Sequence, residues 1–212
     1  MLSQVFSNRT YKNLVITIVV IGLICLVDFK IQPDEFYVGC ALLNSIRHQL
    51  PSEIDNLSRA ISINHKKASS YYNARAEAYL EVGQVQKALD DFTEYINSHP
   101  KDIDHAYTRR ADCFLKLGNY DKAIDDYNAA IVISPDKEGF YGLRAEAYNQ
   151  MGEYSKALAD ANSAIKLHPK AGWAYWIRAS VFDNLAKHNL AKADRQKAKE
   201  LGYAPNLQGS AK

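Results

Sequence analysis

Cysteine is scarce, and its placement excludes more than its number. Of three cysteines in 212 residues, Cys25 lies in an apolar run, while Cys40 and Cys113 stand far apart. No Cys-x-x-Cys pair exists, which excludes a redox dithiol or a zinc knuckle and leaves small apolar side chains. Excess charge of one sign is also missing. The formal net charge is +2, and setting aside Arg9 and Lys12 leaves 24 basic against 24 acidic residues. A neutral chain with interspersed charges has no electrostatic footprint for a nucleic-acid backbone, so no nucleic-acid partner is expected. There is no H-E-x-x-H, no phosphate-binding glycine loop and no G-x-S-x-G. The six histidines are dispersed; His99 and His168 directly precede prolines, His65 sits at the matching position, and all three read as turn residues. Neither metal nor cofactor is expected, and the chain does not read as an enzyme.

What the chain has is, first, an uncharged apolar run from Leu14 to Val27. At about 1.5 Å per residue it spans roughly 21 Å, short of the ~30 Å hydrocarbon core. Tyr11, Phe29 and Ile31 extend it, and Lys12 and Lys30 can snorkel outward. The expectation is a transmembrane anchor over residues 14–31 behind a short tail, 1–13. The run also has the length of a signal-peptide core, although no small-x-small pair follows Val27 at the usual distance. A cleaved signal and a buried helix stand as alternatives. Arg9 and Lys12 precede the run and only Lys30 follows closely. By the positive-inside rule the amino terminus is cytoplasmic and the rest lies across the membrane, on a periplasmic or lumenal side.

From Ser69 onward the chain repeats itself every 34 to 35 residues. Tyr72, Tyr107, Tyr141 and Tyr175 recur in register, each followed by Arg75, Arg110, Arg144 or Arg178. Ala76, Ala111, Ala145 and Ala179 come next, then Tyr79, Phe114, Tyr148 and Phe182. Gly83, Gly118 and Gly152 punctuate three segments, with Ala186 in the fourth. Ala88, Ala123, Ala157 and Ala191 follow, and Pro100, Pro135 and Pro169 close three segments. Aromatic and small residues spaced by three, four and seven describe helices with one apolar stripe. Glycine stops the first helix and proline the second. One such hairpin cannot bury its apolar face, but a stack can.

The pattern Y-x-x-R-A-E-A-Y-x-x-x-G-x-x-x-x-A, closing on H-P or S-P, closely resembles the tetratricopeptide repeat (TPR) over roughly residues 69 to 201. The resemblance implies an all-α superhelical solenoid of helix-turn-helix repeats at 69–103, 104–137, 138–171 and 172–202. Residues 34–68 read as a degenerate fifth copy, in which Tyr37, Ala41, Leu57, Ala60 and Ile61 fit and glycine and proline are missing. In the last copy Lys192, Arg195 and Lys199 replace apolar residues on the face that would meet a further repeat, so that copy reads as a cap. Residues 203–212 read as a disordered tail.

The register arginines depart from the family pattern, where that site is usually aliphatic. Each has an aspartate sixteen residues on: Arg75 with Asp91, Arg110 with Asp126, Arg144 with Asp160, Arg178 with Asp194. These are expected as half-buried structural ion pairs. The family uses the inner face of its first helices to bind an extended or helical peptide. By register that face carries Asn73, Glu77 and Glu81; Thr108, Asp112 and Lys116; Glu146, Asn149 and Gln150; and Trp173, Trp176 and Asp183. Gly139 and Gly142 also fall there and, beside two indoles, suggest a hollow with an aromatic wall. Glu146 and Asp183 are expected to hold a basic or amide group of the partner. The chaperone carboxylate clamp is absent, since Asn73 pairs with Glu77 and Thr108 with Asp112, and later repeats offer Leu143, Trp173 and Ile177. The implied function is a membrane-tethered scaffold for a protein or peptide partner. The alternative is a permanent accessory subunit of an envelope or organelle complex. If the anchor reading holds, the full chain stays with the membrane pellet on alkaline extraction; release into the supernatant refutes it.

Overall fold

The computed structural model describes residues 33–46, 50–64 and 68–203. Leu14–Val27 and the tail beyond Tyr203 lie outside the described residues. Among those described, ten α-helices and no strand are present, and no helix is long and apolar enough to cross a membrane. The helices are α1 (Pro33–Ile46), α2 (Leu50–Ile63), α3 (Ala68–Glu81), α4 (Val85–Asn97), α5 (Ile103–Lys116), α6 (Tyr120–Ile133), α7 (Glu138–Gln150), α8 (Tyr154–Leu167), α9 (Gly172–Asn184) and α10 (His188–Glu200). The chain divides into two compact units, one through Tyr95 and one from Ile96. The segment read as a degenerate repeat folds as the hairpin α1–α2. Pro33 opens α1, where a missing N–H matters least, and Asp34 and Glu35 follow in its first turn.

The first helix of each later hairpin ends in a doubly bonded reverse turn. At α7, the Gly152 N–H donates to the Asn149 carbonyl at 3.2 Å and the Glu153 N–H to Tyr148 at 2.9 Å, with Gly152 at φ 79°. This Schellman geometry satisfies two carbonyls that the helix leaves without partners. Gly83 and Gly118 do the same. In the last hairpin alanine holds the position: Ala186 sits at φ 56°, donating to Asp183 at 2.9 Å, with Lys187 donating to Phe182 at 2.8 Å. The second helices stop differently. Ser134 and His168 are extended (φ −134° and −135°) immediately before Pro135 and Pro169, as a residue preceding proline prefers. Two second helices depart from that rule: α4 is followed by His99 at φ 52° before Pro100, and α10 closes on Gly202 (φ 81°), with the Tyr203 N–H donating to Ala198 at 2.9 Å.

The cores alternate methyl groups with rings. In the first unit Ala76, Ala88 and Phe92 are fully buried. In the second, Ala111, Ala123, Ile124, Tyr127 and Ala147 form one cluster, and Ala145, Ala161 and Ile177 another. Alanine lets the helices approach while the rings fill the space between, each buried ring contributing about 3 kcal/mol at most.

Around these cores every register arginine forms a two-pronged bond to its aspartate. Arg75 Nε and Nη2 donate to Asp91 at 2.7 Å each; Arg110 reaches Asp126 at 2.8 Å; Arg144 reaches Asp160 at 2.7 Å; Arg178 reaches Asp194 at 2.7 and 2.8 Å. The third nitrogen goes to the preceding hairpin: Arg75 to Ser58 Oγ at 2.9 Å, Arg144 to Asn128 Oδ1 at 2.6 Å, Arg178 to Asn162 Oδ1 at 2.7 Å. Arg75, Arg110 and Arg178 also lie between two rings, as with Tyr175 and Phe182 at 5.5 and 5.8 Å from Arg178. The aspartates are buried and the arginines nearly so. Such pairs add little net stability over an apolar contact, but removing one partner strands the other.

A second tie joins the start of three hairpins to their end, always thirty residues apart. Asp34 accepts from Asn64 Nδ2 at 3.1 Å, Asp104 from Ser134 Oγ at 2.7 Å, and Glu138 lies 3.1 Å from His168 Nδ1. Asp34 also accepts from Tyr71 Oη at 3.0 Å, and burial with that bond pushes the phenol up to about 12. Burial pushes the Asp104 carboxyl up, but bonds from Lys137 Nζ, Ser134 and the His105 N–H outweigh it and hold it at about 2. The turn histidine His168 is therefore also one end of a tie.

An alanine in left-handed backbone costs about 1 kcal/mol relative to glycine. Ala186→Gly should raise unfolding stability by about that amount in urea titrations, whereas Gly152→Ala should lower it comparably.

Candidate partner-binding site

The second unit carries a hollow of about 370 Å³ on α7 and α9. Gly139, Gly142, Leu143 and Glu146 contribute from α7; Trp173 and Ile177 come from α9, and Tyr203 closes one side. The volume lies at the small end of the roughly 300–1,000 Å³ usual for ligand sites. Local sequence explains the opening, because two glycines strip side chains from one turn of α7.

The two glycines serve different ends. A Cβ on Gly142 would collide with the Trp173 ring, its Cη2 only 2.8 Å away, whereas a Cβ on Gly139 would meet nothing within 4 Å. Trp173 also packs against both the Ala145–Ala161–Ile177 and the Ala164–Ala171–Ala174 clusters. The space over Gly142 is thus filled by core, and the space over Gly139 is open. Trp176 faces elsewhere: its ring lies 6.3 Å from that of Tyr203 and 5.4 Å from the Arg195 guanidinium. Gly172 lets Tyr203 and the Ala198 carbonyl close in, since a Cβ there would lie 2.6 Å from Tyr203 Cβ. Tyr203, read as tail, is therefore part of the packed structure.

Other expected groove residues are placed as follows. Asn73 and Glu77 are half-buried and Glu81 exposed on α3 of the first unit. In the second unit Thr108 is buried, its hydroxyl bonded to the His105 carbonyl of its own helix, so it does not reach an open face. Asp112 accepts from Tyr127 Oη at 2.9 Å and from Arg109 at 3.2 Å. Burial raises its carboxyl against the pull of those donors, and burial with the Asp112 charge raises the Tyr127 phenol. Lys116 and Gln150 are exposed. Asn149 is engaged by Ser180 at 3.3 Å and Asn184 at 2.9 Å. Asp183 is bonded by Arg195, and its carboxyl is lowered by that bond. The arginine read as a capping charge has thus turned onto the aspartate that the sequence reading assigned to a group of the partner. Lys192 and Lys199 remain exposed. Glu146 stays accessible at the mouth, yet surrounding protein and the Asp112 charge raise its carboxyl above the usual range. Among the described residues no group of three His, Cys, Asp or Glu is placed to hold a metal.

Family models described as tetratricopeptide repeat match residues 66–102, 105–137 and 139–170. These segments are tetratricopeptide repeats. The hairpins α1–α2 and α9–α10 flank the matched segments. Solved structures share the TPR fold. A TPR protein from Parabacteroides merdae is 19% identical, with a TM-score of 0.74 over 81% of this chain and 68% of that one. MamA 41-end from Desulfovibrio magneticus is 18% identical, with a TM-score of 0.73 over 82% and 98%. YrrB, described as a TPR protein with an unusual peptide-binding site, is 14% identical, with a TM-score of 0.67 over 88% and 94%. No curated protein matches the sequence.

The glycine assignments make opposite stability predictions. Gly139→Ala should stabilise the TPR array by about 1 kcal/mol, the helix preference for alanine. Gly142→Ala should destabilise it by about 1–3 kcal/mol, the scale of overpacking. Equal effects in thermal or urea unfolding would mean that Trp173 does not cover Gly142.

Proposed function

We propose that this chain is a membrane-tethered scaffold that recruits a partner protein by taking one of its segments into the hollow on α7 and α9. The open, side-chain-free space over Gly139 carries this reading. A glycine inside a helix costs about 1 kcal/mol relative to alanine, and no neighbour uses the space it leaves. The hollow is concave and mostly apolar with few polar groups, as binding sites are. The fold shared with a solved TPR protein described as having a peptide-binding site supports the same use.

The tether in this proposal is the uncharged Leu14–Val27 run, with the amino terminus cytoplasmic and the repeats on the opposite side. α1 begins at Pro33, so the repeats stand close to the membrane and recruit partners exposed near its surface. The site supplies binding rather than chemistry, and the register arginines serve the fold and not the ligand.

A photo-reactive benzoylphenylalanine at position 139 should give a defined protein adduct in intact cells. The same residue at Asp125, exposed on α6, should not. Adducts from 125 but not from 139 would move the binding surface to the second helices.

A further inference from the structure

The charge at the hollow identifies what it selects, an inference that rests on the groove reading above. Among the described residues, Glu146 is the only charged one lining the hollow. No cation pairs with it among the described residues. Arg109 and Arg195 are committed, to Asp112 and to Asp183, and the exposed Lys116 on α5 acts on Asp112 rather than on Glu146. The charge that acts on Glu146 is that of Asp112, another carboxylate. An acidic ligand would add a third negative charge. A purely apolar ligand would cover the Glu146 carboxylate without compensation, which is strongly unfavourable.

We infer that the hollow takes a lysine- or arginine-bearing segment of the partner, its cation at Glu146 and an adjacent apolar side chain over Gly139 against Trp173. The geometry supports two-part recognition. Glu146 lies two helical turns beyond Gly139 on the same face of α7, roughly 10.5 Å along the axis, a span that a long lysine or arginine side chain covers from a residue close to the apolar anchor in an extended segment. The polarity is opposite to that of a carboxylate clamp, which places cations in the groove. An apolar chain that carries its own cation supplies Glu146 with a counter-charge as it covers it, so selectivity for charge exceeds selectivity for the exact apolar side chain.

The test uses the full chain in detergent micelles and three fluorescein-labelled heptapeptides: Gly-Ser-Lys-Phe-Lys-Ser-Gly, its counterpart with both lysines replaced by glutamate, and its counterpart with phenylalanine replaced by serine. Fluorescence anisotropy should detect the first alone. Glu146→Gln should weaken it about tenfold, and raising salt should weaken it further. Gly139→Leu, which enters open space and should preserve the helical circular dichroism, should abolish binding. Binding of the glutamate peptide as strong as that of the lysine peptide, or binding unchanged by Glu146→Gln, overturns the inference. So does binding of none of the three; an adduct from position 139 in cells would then leave the groove reading standing, and its absence would remove both. Concentration-dependent self-association that Gly139→Leu abolishes also overturns it, by making a second copy the occupant.

Discussion

A guanidinium held flat by a carboxylate and set beside an aromatic ring is the constraint on which the four hairpins from α3 to α10 depend. The two prongs to aspartate fix the second helix against the first, and a third nitrogen reaches the hairpin before in the cases of Arg75, Arg144 and Arg178. Hydrophobic burial alone would leave these alanine-rich helices free to slide, because methyl groups offer little to interlock. The forked bond has one geometry, and sliding by a helical turn would break both prongs. The pairs therefore specify register more than they add stability, and the apolar clusters supply the driving force.

That rigidity is what allows an open space to persist. A hollow over Gly139 would collapse if α7 and α9 moved together, yet both are held through α8 and α10 by Arg144–Asp160 and Arg178–Asp194. The last hairpin adds its own closure. Arg195 joins Asp183 and lies over Trp176, Trp176 meets Tyr203, and Tyr203 forms one side of the hollow. Charged residues that read as a solvated cap thus also position a wall of the candidate site.

The parts of the fold that recur as the same residue types were legible in the sequence. The period, the arginine–aspartate offset of sixteen and the glycine stops all repeat chemically, so counting finds them. The thirty-residue tie was not legible, because its members change from Asp34 and Asn64 to Asp104 and Ser134 to Glu138 and His168; only the distance is kept. The site was legible by face and not by neighbour. Register places Thr108, Asn149, Trp176 and Asp183 on inner positions, but their side chains are taken up by His105, Ser180, Tyr203 and Arg195 respectively. Trp173 fills the vacancy at Gly142 because a large ring leans across to the preceding hairpin, which a one-dimensional register does not record. Tyr203 gave no signal beyond the glycine before it.

The third arginine nitrogen gives the stack a direction. Arg178 leans on Asn162 of the hairpin before it, and Arg144 on Asn128. Peeling away the last hairpin leaves an amide oxygen that water readily serves. Peeling away an earlier one leaves a guanidinium, already turned inward, with an empty prong. Loss of structure within the second unit is therefore easier from its carboxy-terminal end, so fraying there has a built-in polarity, beginning where Tyr203 borders the hollow.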